Sequence, residues 1–133
     1  MSRPVVLTAL LLLAIATGPV YGQPPAAGPN ACFFVTQFRH WKAPDDKTIY
    51  ISVLPDRYYR LDLSAKCPAL LWPASHLVTV FRGADTVCSA LDWDLKVSQA
   101  PNGISEPCIV CKMTLLSPAE ADAIPPKFKP ARF

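Results

Sequence analysis

The chain has 133 residues, of which 51% are hydrophobic and 17% charged, and it carries a net charge of +3. That length fits one small domain, and the near-neutral balance excludes both the electrostatic footprint of a nucleic-acid binder and the polybasic stripe that holds a protein to an anionic membrane. The positive mean hydropathy of +0.24 reflects the first residues of the chain rather than a membrane-embedded body.

Those first residues read as a removable export signal. Arg3 supplies the positive start, Val5 to Ala16 form an apolar run broken only by Thr8, Gly18 and Pro19 end it, and Val20-Tyr21-Gly22 offers the residues a signal peptidase reads. Residues 1–22 are therefore assigned as signal peptide. The apolar run is too short to span a hydrocarbon core of about 30 Å, and a lipid anchor needs a cysteine directly after it, whereas the first is Cys32. The expected product is periplasmic or secreted, with no stable membrane insertion after cleavage. Residues 23–30, rich in proline, glycine and alanine, read as a disordered linker, residues 31–124 as a β-rich domain, and residues 125–133 as a basic, proline-rich, solvated tail.

Within the domain the dominant period is two. Phe33, Phe34, Val35 and Phe38 suit a first strand. Asp45 and Asp46 suit a turn, after which Ile49, Ile51 and Val53 alternate with polar neighbours. Past Pro55-Asp56, Tyr59, Leu61 and Leu63 repeat the pattern, as in a hairpin. A strand over His76 to Arg82 precedes the turn residue Gly83. Leu91, Trp93, Leu95 and Val97 face inward in the next strand, with Asp92, Asp94 and Lys96 on its wet face, and a last strand spans Cys108 to Leu116 after Pro101-Asn102-Gly103. Ser117-Pro118-Ala119-Glu120 then starts a short helix, with a serine cap, proline at the first helical position and an acid three residues after the cap, and Pro125 stops it. The predicted fold is mainly β: a small antiparallel barrel or sandwich of about six strands with one short C-terminal helix, stapled by disulfides.

The order of Cys32, Asp45-Asp46 before a hydrophobic strand, Tyr59-Arg60-Leu61 leading to Cys67-Pro68-Ala69-Leu70, then Cys88, Cys108-Ile109-Val110 and a Leu-Ser-Pro-x-Glu helix start resembles an exported bacterial family, domain of unknown function 6491. The resemblance covers Ala31 to Ile124. It implies a secreted or periplasmic setting, a compact β-rich fold and four framework cysteines, Cys32, Cys67, Cys88 and Cys108, and it brings no activity with it. Cys111 is extra to the pattern.

Sequence alone leaves the pairing of the four cysteines open. Local geometry favours Cys67 with Cys88, which bracket the strand from His76 to Arg82, and so Cys32 with Cys108. Bridges closing loops of these lengths contribute about 3–5 kcal/mol each. Cys108-Ile109-Val110-Cys111 also spells a thiol-exchange motif, but exchange chemistry needs the first sulfur at a helix N-terminus, and residues three apart on a strand face opposite sides. Cys111 is therefore expected to be a buried free thiol.

The two histidines, His40 and His76, lie at no metal-ligand spacing, so neither metal nor cofactor is expected. If they converge, they and Lys42 suit acid–base work on a phosphodiester. Trp93 belongs in the core, while Trp41, Tyr50 and Tyr58 are the candidate binding surface. Together these readings describe a monomeric, exported, non-catalytic binding or interaction module of the cell envelope, inhibitor-like or accessory in kind, whose partner is an envelope protein or a small ligand. The alternatives are a small hydrolase using His40 and His76 and a thiol-redox protein using Cys108 and Cys111.

Overall fold

Alternating segments become strands here wherever their apolar face meets a shared interior. The computed structural model describes residues 31–82, 85–99 and 103–133, so the assigned signal peptide and linker, together with the turn residues Gly83, Pro101 and Asn102, lie outside the described residues. In chain order the elements are β1 (Phe33–Phe34), β2 (Phe38–Lys42), β3 (Thr48–Val53), β4 (Arg57–Leu63), β5 (Ser75–Phe81), β6 (Thr86–Val87), β7 (Trp93–Gln99), β8 (Ser105–Pro107), β9 (Val110–Leu115) and a short helix α1 (Pro118–Asp122).

The fold is mainly β, with these strands in three antiparallel sheets ordered β1-β6, β2-β3-β4-β9 and β5-β7-β8. The chain itself links the sheets. β1 passes through a tight turn at Val35–Gln37 into β2, and β8 passes through Cys108 and Ile109 into β9. At that second crossing Cys108 N–H donates to Leu95 O at 3.0 Å and Ser64 N–H to Ile109 O at 2.9 Å, so one segment pairs first with β7 and then with β4. The strands thus follow a ring, but hydrogen bonding does not: β2 and β5 are the ends of their sheets, and no closed barrel forms.

The predicted first strand is broken into β1 and β2, since a strand that changes sheet must bend, and the predicted last strand is preceded by the unpredicted β8, which belongs to another sheet. A third begins later than its alternation suggests. Ser89 and Asp92 form a capping box around the turn Ala90–Asp92, which ends where β7 starts at Trp93. Leu91, expected to face inward, is consequently 84% exposed.

The interior is built around Trp93. Its ring lies 5.2 Å from Phe81, 6.3 Å from Phe33 and 6.5 Å from Phe38, and Phe33 lies 5.1 Å from Tyr59. These tilted and edge-on contacts are those that aromatic quadrupoles favour. Ile49, Ile51, Leu61, Val87 and Val97 complete the buried cluster. Tyr59 is buried with its phenol, and burial pushes its pKa up against the opposing effect of Arg57. Arg57 Nη1 donates to that phenol at 3.1 Å and to Cys32 O at 2.8 Å, which ties the hairpin to the start of the domain.

The bridges are Cys32–Cys88 and Cys67–Cys108, which corrects the expected pairing of Cys67 with Cys88 and Cys32 with Cys108. The reason is the β1–β6 pair. Phe33 sits opposite Val87, so their neighbours Cys32 and Cys88 are brought together at the end of that ladder. Cys67, beside Asp46 O, then meets Cys108 at the sheet crossing. Loops spanning 56 and 41 residues correspond to about 4 kcal/mol each in the chain-entropy account.

The outer face of β3 and β4 is covered as well. Tyr58, Ala121 and Ile124 form a second buried cluster, with Tyr50, Leu116 and Phe128 packed on it. Ser117 Oγ accepts from Glu120 N–H and Glu120 accepts from Ser117 N–H, the box expected at the start of α1. The expected solvated tail instead lies against the sheet: Pro130 is fully buried, Tyr58 OH donates to Pro130 O at 3.3 Å, and Arg132 pairs with Asp56 at 3.0 Å.

Two outcomes test this arrangement. Replacing Cys32 and Cys88 together by serine is expected to lower stability by about 2–5 kcal/mol in urea unfolding, while the β-sheet far-UV spectrum persists at low denaturant. Asp92 has its pKa lowered, chiefly by the backbone N–H of Cys88 and also by Ser89, so its carboxylate contributes stability above its unfolded pKa that is lost as pH falls through the folded one. Asp92→Asn is expected to lose on the order of 1 kcal/mol at neutral pH and to show a shallower fall in stability between pH about 5 and about 2.

Candidate functional site

Two sheet ends that do not pair leave a seam, and the seam gathers the side chains of interest. A cleft of about 490 Å³ between β2 and β5 is lined by Phe38, Arg39, His40, Trp41, Lys42, His76, Leu77 and Ala131. Near the β1–β6 end the seam is filled, since Phe38 of β2 and Phe81 of β5 both rest on Trp93. Beyond them the cleft opens.

β2 supplies most of the lining because its register is irregular. Phe38 pairs with Val53 and Trp41 with Ile51, so an extra residue is accommodated between them, and Arg39 and His40 turn outward while Phe38 and Trp41 both pack on the core. Ser52 Oγ accepts from His40 N–H at 3.2 Å and fixes the irregular stretch. His40 Nε2 lies 2.8 Å from Phe133 O, and Ser52 Oγ donates to Ala131 O, so the tail forms one rim of the cleft. β5 contributes His76 and Leu77 from the opposite side.

The chemistry of the lining is one-sided. Arg39, Lys42, His40 and His76 provide positive or nitrogen-bearing groups, Phe38, Trp41 and Leu77 provide an apolar wall, and among the described residues no acid lines the cleft. Such a cleft can hold an anion that carries an apolar portion.

The structure therefore lines one cleft with His40 and Lys42 of β2 and His76 of β5. It does not bring together Trp41, Tyr50 and Tyr58. Trp41 is in the seam. Tyr50 lines a separate concavity of about 440 Å³ beside α1, with Arg60, Asp62, Lys112 and Glu120. Tyr58 is 4% exposed beneath the tail, which corrects its assignment to a binding surface. Arg39, Phe38, Leu77 and Ala131 were not singled out from sequence. The alternation of β2 is masked by its irregular register, and only tertiary structure places Ala131 beside it.

Elsewhere the flagged residues have local duties. Asp45 Oδ1 accepts from Lys47 N–H at 2.8 Å, the expected turn. Cys108 is bonded to Cys67 and so is not joined to Cys111. Cys111, expected to be buried, is exposed and sits at the β4–β9 irregularity with Sγ 3.3 Å from Asp62 O. Among the described residues no group of three or more His, Cys, Asp or Glu is placed to hold a metal ion, and no helix is long and apolar enough to cross a membrane.

Comparison with curated proteins and with solved structures finds no match. The model of a family of unknown function, DUF6491, matches residues 1–126, which extends beyond the segment carrying the cysteine order, and the chain belongs to that family.

Proposed function

We propose that this protein is an exported, non-catalytic binding module of the cell envelope, and that its site is the seam between β2 and β5, which receives an anionic ligand with an apolar portion. The observation that carries this reading is the composition of the cleft: Arg39, His40, Lys42 and His76 beside Phe38, Trp41 and Leu77, with no acid in the lining among the described residues. An electropositive, partly apolar recess raises local anion concentration and gives the ligand's apolar part a dry wall. The export assignment is supported by the signal-like start of the sequence and by two disulfides, which persist in oxidising compartments.

A second reading, a small hydrolase, is favoured by one specific observation. His40, His76 and Lys42 line the same cleft, and His40 Nε2 is engaged by Phe133 O, which leaves Nδ1 as the free ring nitrogen. The thiol-redox alternative has no comparable support, since Cys108 is held by Cys67.

Titration with the fluorescent aromatic anion anilinonaphthalene sulfonate separates these readings. Saturable binding is expected, weakened about tenfold by Lys42→Glu, a variant that keeps the wild-type unfolding free energy within about 1 kcal/mol, and also reduced by Trp41→Ala, which loses more stability because its ring packs on the core. Binding that neither substitution alters would place the site elsewhere. For the hydrolase reading, cleavage of a nitrophenyl phosphodiester should fall at least about 100-fold in His76→Ala, and equal background rates in both proteins would dismiss it.

A further inference from the structure

The free edge of β5 has a feature that a simple anion site does not require. Leu95 O accepts from Cys108 N–H, so Leu95 turns its main-chain polar groups toward β8. Its neighbours Asp94 and Lys96 must then turn theirs toward β5, where they face Val80 and Val78. Arg82 N–H, bonded to Asp92 O, has the same phase as Val80. It follows that the N–H and C=O groups of Leu77, Thr79 and Phe81 point away from β7, toward the seam, and among the described residues β5 has no hydrogen-bonded strand on that side.

This edge lacks the usual protection against strand addition. Ser75 to Phe81 contains no proline, lysine or acid, and runs 7 residues with β-branched Val78, Thr79 and Val80 in succession. Val78 and Val80 are 41% and 64% exposed. Thr79 Oγ1 is buried without a hydrogen-bond partner among the described residues, an unsatisfied group on the same strand. The nearby acid, Asp94 opposite Val80, faces Arg82 at 3.8 Å. Across the seam stand Arg39, His40 and Lys42, with His76 on β5 itself.

We infer that the ligand of the seam is an extended acidic peptide segment that adds to β5 as an antiparallel strand. Its main chain bonds Leu77 and Thr79, short of the filled end of the seam at Phe81, and its carboxylates face Lys42, Arg39 and the two histidines. The inference rests on the proposed anion-binding role of the seam and narrows it: backbone pairing supplies affinity, and the cationic wall of β2 selects the acidic segment over neutral or basic ones.

The test uses the full mature chain and a peptide as long as β5, 7 residues, alternating valine and glutamate. On adding peptide, amide hydrogen exchange is expected to slow at Leu77 and Thr79, while Val78 and Val80, already bonded to β7, are unchanged. N-methylation of alternate peptide nitrogens, in the phase that faces β5, should weaken binding at least about tenfold, and replacing glutamate by lysine should weaken it by a similar factor. Binding with no slowing at those two amides, or equal affinity of the N-methylated peptide, overturns strand addition while leaving the anion site intact. Failure of both the peptide and anilinonaphthalene sulfonate to bind overturns the seam reading itself. A peptide that binds equally well in its lysine form overturns the acidic specificity.

Discussion

The rest of the structure depends on how the strand path is closed. Two residues of β1 pair with two of β6, and the Cys32–Cys88 bridge fastens that short ladder. A two-residue pair has too little hydrogen bonding and buried surface to persist alone. Fastened, it brings Phe33 beside Tyr59 and Trp93 and brackets the aromatic interior. The second bridge, Cys67–Cys108, acts at the other place where the chain changes sheet. Both bridges thus reinforce crossings rather than regular ladders, where the fold has least backbone pairing to hold it.

The same economy explains the outer face of the β3–β4 hairpin. Tyr50 and Tyr58 alternate toward the polar side of their strands, and a sheet of this size does not leave two such rings in water. α1 covers one part, and the tail from Pro126 covers another, with Pro130 buried and Lys129 and Arg132 over the Tyr58 ring at 5.4 Å and 5.9 Å. The tail is therefore a structural layer that also forms the rim of the seam through Ala131 and Phe133. His40 both lines the seam and contacts the tail, so the binding proposed for the seam would be linked to the packing of the tail.

Sequence made the interior pattern of β3, β4 and most of β7 legible, because the period of two survives in each, and it located β5. The capping box at Ser117 was equally legible, since its chemistry is local. What failed were properties set by meetings between distant segments. The cysteine pairing went to the partners that β1 and β6 align, and Cys111 was carried outward by the irregular pairing of β9 with Asp62 and Leu63, whereas Leu91 was displaced by a local contact, the Ser89–Asp92 cap. Of the candidate site, the histidines and Lys42 stood out by residue type, whereas their convergence required a seam that no local pattern announces. Tyr58 misled because an aromatic on a polar face was covered by a segment whose proline-rich, basic composition resembles a solvated tail.

The account places closure at one end of the strand path and an unpaired seam at the other, and the bridge between Cys32 and Cys88 is what distinguishes those ends. Trypsin cleaves after Arg39, Lys66, Arg82, Lys96 and Lys112, which places Cys32, Cys67 and Cys88 on separate peptides and Cys108 with Cys111 on a fourth. Mass spectrometry of a non-reduced digest at mildly acidic pH, where thiols do not exchange, is the most direct measurement. The account predicts one linked pair joining the Cys32 and Cys88 peptides and another joining the Cys67 peptide to that of Cys108, with Cys111 alkylated by reagent. A peptide containing Cys32 linked to the one containing Cys108 would contradict it, because the β1–β6 ladder would then have no fastening.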